Sequence, residues 1–304
     1  MKEVLILGGT GFIGTNLLKK LDSKSLNITV VGNNGQNKTK KDINYIFLNG
    51  KSMSEVSYLT QTKFSYVINL MGYIDHSNFF ASGRDIVKSH LIELIGFIEN
   101  MNKDNLIKFV QIGSSDEYSD EKSPQKEEKK NFSFSPYSFA KSASTDFLRM
   151  LNKTDNFPAV TLRLFLVYGP HQKKDRFIPQ LINGCLENIE IPMTKGEQIR
   201  DFCFVDDVCE AIIACFDNEK VNGEIINIAS GIPISIKSMA IKIQDLIGKG
   251  TLKIGDLPDR SNANQSLYAD NNLARNLLNW TPSISLDEGL KKSIDFYKSL
   301  HESK

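Results

Sequence analysis

No uninterrupted apolar run in these 304 residues reaches the roughly 18 to 20 needed to cross a bilayer, which excludes a membrane span. An excess of one charge is missing too. Lys and Arg number 37 against 36 Asp and Glu, and the net charge of +1 provides no field to gather nucleic acid or an anionic membrane. Any anion the protein binds is therefore held locally. Cysteine is scarce: Cys185, Cys203, Cys209 and Cys215 never form a C-x-x-C pair, and the four histidines are scattered. That pattern speaks against a metal site or a disulfide framework and for reduced thiols. No basic stretch, long apolar segment or small-residue cleavage site precedes the first strand-like run, Glu3 to Leu7, so the expected location is the cytoplasm.

What is present, 40% hydrophobic residues in a chain of this length, is enough to bury an ordinary core in one large domain or two coupled ones. Short runs rich in Val, Ile and Leu occur at Glu3 to Leu7, Ile28 to Val31, Tyr45 to Leu48, Tyr66 to Leu70, Lys108 to Ile112 and Ala159 to Leu166. They read as strands buried on both faces. Helix-period stretches at Phe12 to Leu21, Arg84 to Met101 and Pro136 to Leu151 separate them. The βαβα rhythm predicts an α/β fold, a doubly wound parallel Rossmann sheet whose ligand sits at the carboxyl ends of the strands. After Tyr168, prolines punctuate shorter elements, which predicts a smaller second lobe. A helix at Val205 to Phe216 and a strand at Glu224 to Ile228 are expected to return to the main sheet. The expected division is therefore residues 1–170 with 205–228 in the dinucleotide domain, and 171–204 with 229–304 in an interleaved C-terminal lobe. The mixed acids and lysines of Asp116 to Lys130 predict a solvated loop, placed where it could also act as a lid.

Residues 8 to 14 read GGTGFIG, directly after a strand and directly before a helix. Gly8 can make the tight turn, Gly11 lets the backbone approach a pyrophosphate, and Gly14 permits close helix packing. Phe12 and Ile13 open the helix whose N-terminus faces the phosphates. A site selective for NAD usually carries an acid at the end of the second strand, yet that stretch reads VVGNNG. Asn33 brings no charge to repel a 2′-phosphate, and Lys38, Lys40 and Lys41 follow. NADP(H) is therefore expected in preference to NAD(H), with NAD binding through Asn33 and a ribose hydroxyl as the alternative.

SPYSFAK places Tyr137 and Lys141 at i and i+4, on one face of a helix. Ser114 and Ser115 follow the strand ending near Ile112, at the same carboxyl edge. A lysine ammonium ~4 Å from a phenol at an effective dielectric near 20 would favour the phenolate by at most about 4 kcal/mol. That would bring Tyr137 into a useful range for proton transfer.

GGTGFIG, the Ser115-Asp116-Glu117 strand end, Tyr137-x-x-x-Lys141, LRLFLVYGP, RDFCFVDDV and the closing NLLNWTPSISLDEGLKKSIDFY together resemble the extended short-chain dehydrogenase/reductases, of the NAD-dependent epimerase/dehydratase type that acts on nucleotide sugars. The resemblance runs along essentially the whole chain. It implies Tyr137 as acid/base, Lys141 on the nicotinamide ribose and Ser115 on the substrate oxygen. It also implies that Arg200, of the RDF stretch, and Arg260 grip a sugar nucleotide's diphosphate, a task suited to guanidinium. Asp116 is placed with the substrate contacts, as is His76 in GYIDHSNF, which could equally be a plain loop residue. Asp206 and Asp207 look like helix caps. Leu166 stands where many members carry Asn, and Asn69-Leu70-Met71-Gly72 where they carry His-Leu-Ala-Ala. Members are often homodimers, though no residue here establishes one.

GEQIRDF and RFIP resemble sugar-nucleotide 4-ketoreductases that make deoxyhexoses for surface polysaccharide. The leading expectation is thus NAD(P)H-dependent reduction of the C4 keto group of a 4-keto-6-deoxyhexose linked to dTDP or CDP. A 4-epimerase is the next alternative. A 4,6-dehydratase follows, supported by Asp116-Glu117 but opposed by Tyr118-Ser119, one residue short of the V-Y-G of those enzymes. A dinucleotide redox sensor is the non-enzymatic alternative, which retention of Tyr137 and Lys141 disfavours.

Overall fold

A computed structural model describes residues 1–32, 42–120, 122–128, 132–259 and 264–302. Six strands, most of them separated by helices, run along its first half: β1 (Lys2–Leu7), β2 (Leu26–Gly32), β3 (Asn44–Phe47), β4 (Tyr66–Asn69), β5 (Lys108–Ser114) and β6 (Ala159–Leu164). After β7 (Leu166–Tyr168), β8 (Glu190–Met193) and β9 (Ile199–Phe204), which lie elsewhere, β10 (Ile225–Ile228) adds a seventh. The order across this sheet is β10-β6-β5-β4-β1-β2-β3, and every pairing in it is parallel.

Val4, Leu5, Ile6 and Leu7 have no exposed surface. The two-residue period of a strand sends Val4 and Ile6 into a core shared with Ile28, Val30 and Ile68. Leu5 and Leu7 enter a separate core on the other face, with Val67, Leu94 and Phe97. Burial on both sides is why the strands read as continuous apolar runs rather than alternating ones.

The helix Pro136–Asp155 has clear ends. Ser135 caps it by accepting from the Ser138 N–H, Pro136 fixes its first turn, and left-handed Asn156 terminates it. The expected single helix from Arg84 to Met101 is instead interrupted. A π turn, Lys88–Ile92, separates Arg84–Val87 from Glu93–Asn100, and another, Phe79–Gly83, precedes both.

The second half builds around β9, which pairs with β7, with β11 (Pro233–Ser235) and with β13 (Ser266–Leu267), while β12 (Thr251–Ile254) pairs with β8. The helix Val205–Ala214 packs on the helix Phe12–Lys20. Asp207 does not cap it; Phe204 holds the cap position and makes no side-chain bond there. The Asp207 carboxylate accepts instead from Ser283 N, Ser283 Oγ and Ile284 N at 2.8–3.1 Å, and its carbonyl accepts from Trp280 Nε1.

The segment beginning at Asp116 also differs from the expected free loop. Gln125 N donates to the Tyr268 carbonyl and Asp270 N to the Gln125 carbonyl, both at 2.9 Å, and Ser123 Oγ donates to the Ser266 carbonyl. Tyr118 and Gln125 are fully buried. Its described part is thus a strap bonded to 266–270, because a buried backbone must find hydrogen-bond partners and those of the neighbouring strand are at hand. The four cysteines are buried free thiols. Among the described residues no cluster could hold a metal ion, and no helix is long and apolar enough to cross a membrane.

Candidate active site

Two turns at the carboxyl edge of the sheet make the site. The first is the glycine turn. Gly8 has φ +74°, and a Cβ there would lie 2.9 Å from the Leu70 carbonyl carbon and oxygen. At Gly14 a Cβ would lie 2.4 Å from the Gly9 backbone, so the helix can approach the turn only without one. Gly11 occupies the cap position of the helix Phe12–Lys20, which has no side-chain cap and no acid in its first turn. A Cβ on Gly11 would meet only the Gly8 oxygen, at 3.2 Å, leaving an open approach to the helix N–H groups. Phe12 and Ile13 pack half-buried against the core at the same end. Uncapped donors, no opposing carboxylate and an unobstructed backbone fit the pyrophosphate of a dinucleotide. Asn33 and Lys38, Lys40 and Lys41 lie outside the described residues.

The second turn follows β5. Tyr137, in the first turn of its helix, is 4% exposed, and its phenol is hydrogen-bonded to the Ser114 side chain. Ser115, the expected partner, opens the short turn Ser115–Tyr118 and is buried. Ser114, the last residue of β5, is the hydroxyl that meets the phenol, and Ser115 begins the turn one residue on. Lys141 lies 5.9 Å from the Tyr137 ring centre and donates from Nζ to the Ile112 carbonyl at 2.8 Å.

The electrostatics correct the expectation for Tyr137. Burial pushes the phenol well above its ordinary value, the charge of Asp116 pushes the same way, and the Ser114 hydrogen bond pulls back. Lys141 does not offset this. Its own ammonium is lowered to about 8 by complete burial, against the pull of Glu117 and Asp116. The protein alone thus holds Tyr137 as a protonated donor.

Two imidazoles frame the Tyr137 ring edge-on: His76 at 5.6 Å and 79°, and His90 at 5.5 Å and 82°. His90 is buried in the π turn Lys88–Ile92, and its Nε2 lies 3.0 Å from the Tyr73 carbonyl. Burial and the Lys141 charge lower it to about 3, so it is neutral and Nε2 carries the proton it donates. Gly72, with φ +113°, leaves room for the ring; a Cβ there would sit 1.9 Å from His90 Cε1. His90 was not among the expected site residues; it stands far upstream of Tyr137 in the sequence and no motif marks it.

The substrate-side residues divide. His76 Nε2 is 3.8 Å from Asp116 Oδ2, and Asp116 is the charge that raises Arg200 against the lowering by its burial. His76, Asp116, Arg200 and Tyr137 therefore lie near one another. Arg200 is steadied from β9, where buried Asp201 accepts from Ser230 N, Ser230 Oγ, Gly231 N and Ala269 N. Arg260 lies outside the described residues. Glu117 turns away: its carboxylate accepts from Arg163 Nε and Thr145 Oγ1 at 2.9 Å and from Ser114 N at 2.8 Å, with no exposed side-chain surface.

Comparison with known proteins identifies the family and the fold. The chain is 29% identical over 209 residues to an uncharacterized UDP-glucose epimerase, YtcB, of Bacillus subtilis, covering 67% of this chain and 65% of that protein. It is 25% identical over 323 residues to the bovine dTDP-D-glucose 4,6-dehydratase, covering 98% and 89%. Its fold matches the crystal structure of a UDP-glucuronic acid 4-epimerase from Bacillus cereus in complex with UDP-glucuronic acid and NAD, with a TM-score of 0.84, 24% identity and coverage of 98% and 99%. The expected preference for NADP(H) is overturned, since the matching family is described as NAD dependent and such neighbours hold NAD. Its reasoning was at fault: the lack of a strand-end acid removes a repulsion but does not build a site for a 2′-phosphate, and an amide can serve a ribose hydroxyl. Residues 4–229 match the NAD dependent epimerase/dehydratase family, and the chain belongs to it.

Proposed function

We propose that the protein is an NAD-dependent 4-epimerase of a nucleotide-diphosphate sugar. The observation that carries this reading is the buried pair Tyr137 and Lys141 with half-buried Ser114 against the phenol, while Glu117 is sequestered by Arg163. A 4,6-dehydratase needs an acidic pair near C5 and C6; Asp116 is open to serve as one member, but Glu117, the other, is held by Arg163 with no open face. The 4-ketoreductase was expected from the GEQIRDF and RFIP stretches, whereas the relatives compared above are epimerases and a dehydratase, and the NADP(H) expectation that went with it is overturned.

A bound NAD would supply reversible hydride acceptance at C4 and a positive charge that would favour the Tyr137 phenolate. Tyr137 takes the C4 hydroxyl proton as the carbonyl forms and gives it back as the carbonyl is reduced, so the two half-reactions cancel and no net redox remains. Ser114 holds the oxygen on which charge develops. Lys141 sits where it can bind the cofactor ribose, and buried His90 keeps the Tyr137 ring in place. Arg200 grips the diphosphate, in a lobe formed by residues 171–204 and 229–304 over a dinucleotide domain of 1–170 and 205–228.

The test supplies UDP-glucose, UDP-galactose or UDP-N-acetylglucosamine with NAD and follows C4 configuration by NMR. Interconversion without net NADH is expected, and Tyr137→Phe should lose about 10²–10⁴ in kcat while still binding cofactor. A stable 4-keto product would establish a dehydratase. NADH consumed in proportion to an added 4-keto-6-deoxy sugar nucleotide would establish a ketoreductase, and indifference to Tyr137→Phe a sensor.

A further inference from the structure

We propose that Asp116 sets the substrate class: its carboxylate excludes nucleotide sugars that carry a carboxylate on the hexose and reserves the site for hexoses without charge. The inference rests on the sugar-nucleotide reading above and deepens it.

Two acids follow β5, and only one of them faces the substrate. Glu117 has no exposed side-chain surface and is neutralised by Arg163. Asp116, with a third of its side chain exposed, lies beside His76. Its charge is the largest influence on the Tyr137 phenol after burial. The phenol marks where the C4 oxygen must lie, and every substituent of a six-membered sugar ring lies within a few bond lengths of that oxygen. A hexuronate would therefore bring its own anion close to Asp116.

The nearby cations do not cancel this. Lys141 is fully buried and committed to the Ile112 carbonyl. Arg163 is committed to Glu117. Arg200 faces Asp116, but a guanidinium drawn to the diphosphate cannot also shield the acid. Burial raises the Asp116 carboxyl above its ordinary value, and His76, 3.8 Å away, acts on it more than Arg200 or Lys141 does, but with over half of its side chain in solvent that attraction is screened. Two unit charges roughly 5 Å apart at an effective dielectric near 20 repel enough to cost about a hundredfold in binding. The fold itself does not forbid uronates, since the Bacillus cereus neighbour is held with UDP-glucuronic acid.

The experiment compares UDP-glucose with UDP-glucuronate, by kcat/KM and, separately, by displacement calorimetry on the NAD-loaded protein. The wild type should favour UDP-glucose about a hundredfold, and Asp116→Asn should narrow the gap to about tenfold or less through gain on the uronate. Asp116→Ser repeats the comparison should the amide variant not fold. Equal handling of the two by the wild type, or a ratio unmoved in a folded variant, overturns the proposal. The affinity arm stands without turnover: if neither sugar is epimerised, a preference that collapses in the variant upholds the charge filter and rejects the epimerase, whereas equal affinities reject the filter.

Discussion

His90 and Tyr137 illustrate how much a single side chain can carry. Tyr137 and Lys141 could be read from the sequence because a helix brings i and i+4 together, and that spacing survives without any knowledge of the fold. His90 could not, since one histidine in an interrupted helix looks like any other until Gly72 and the Tyr73 carbonyl close around it. The hydrogen bond between Ser114 and Tyr137 was equally hidden, because nothing in the sequence marks where β5 ends and its turn begins. Burial makes His90 a liability in acid. Its folded-state value near 3 lies below the unfolded 6.5, so the stability it permits is intact above pH 6.5 and is lost as pH falls toward 3, where the unfolded chain takes a proton the folded one refuses. Between pH 6 and 4, urea unfolding of the wild type should weaken by about 1.4 kcal/mol per pH unit more than that of His90→Asn. Parallel pH profiles for the two proteins would show that the imidazole is not held neutral.

Among the elements, strands and the glycine turn were the most legible and the boundaries the least. Apolar runs located every strand of the large sheet. The run Ala159 to Leu166 was expected to be one strand but divides at Phe165, where the chain leaves β6 and begins β7, which pairs with β9 instead. Nothing in an apolar run marks a change of sheet. The glycine turn gives a contrast that can be measured. In Gly14→Ala the added methyl meets backbone 2.4 Å away, which cannot yield without moving the helix, so a loss of about 1–3 kcal/mol in stability is expected together with weaker NAD binding. Gly11→Ala adds a methyl near the Gly8 oxygen alone, so its melting temperature should hold while NAD affinity falls at least about tenfold. Unchanged NAD affinity in Gly11→Ala would remove the pyrophosphate from this turn.

The whole molecule depends on connections that are remote in sequence, and these are where sequence reading ran out. Ser123 and Ser266 are 143 positions apart, yet they join the strap to the strand beside Arg200. Asp207, expected to cap a helix, fastens residues 280–284. Its neighbour-blind reading as a cap was reasonable, since an acid at a helix start commonly serves that end. Asp207→Ala should cost about 2–4 kcal/mol, because three donors lose a charged acceptor together, while Asp206→Ala should cost less than about 0.5 kcal/mol. Denaturant midpoints of the two variants decide this, and equal midpoints would deny Asp207 its fastening role.

β10 closes the large sheet against β6, yet residues 165–224 must be made between them. A chain emerging from the ribosome therefore presents its glycine turn and the helix Pro136–Asp155 while β6 still offers a bare row of backbone donors and acceptors. During that interval the growing polypeptide is open to mispairing with other nascent chains, and the shield arrives only when position 228 has cleared the exit tunnel.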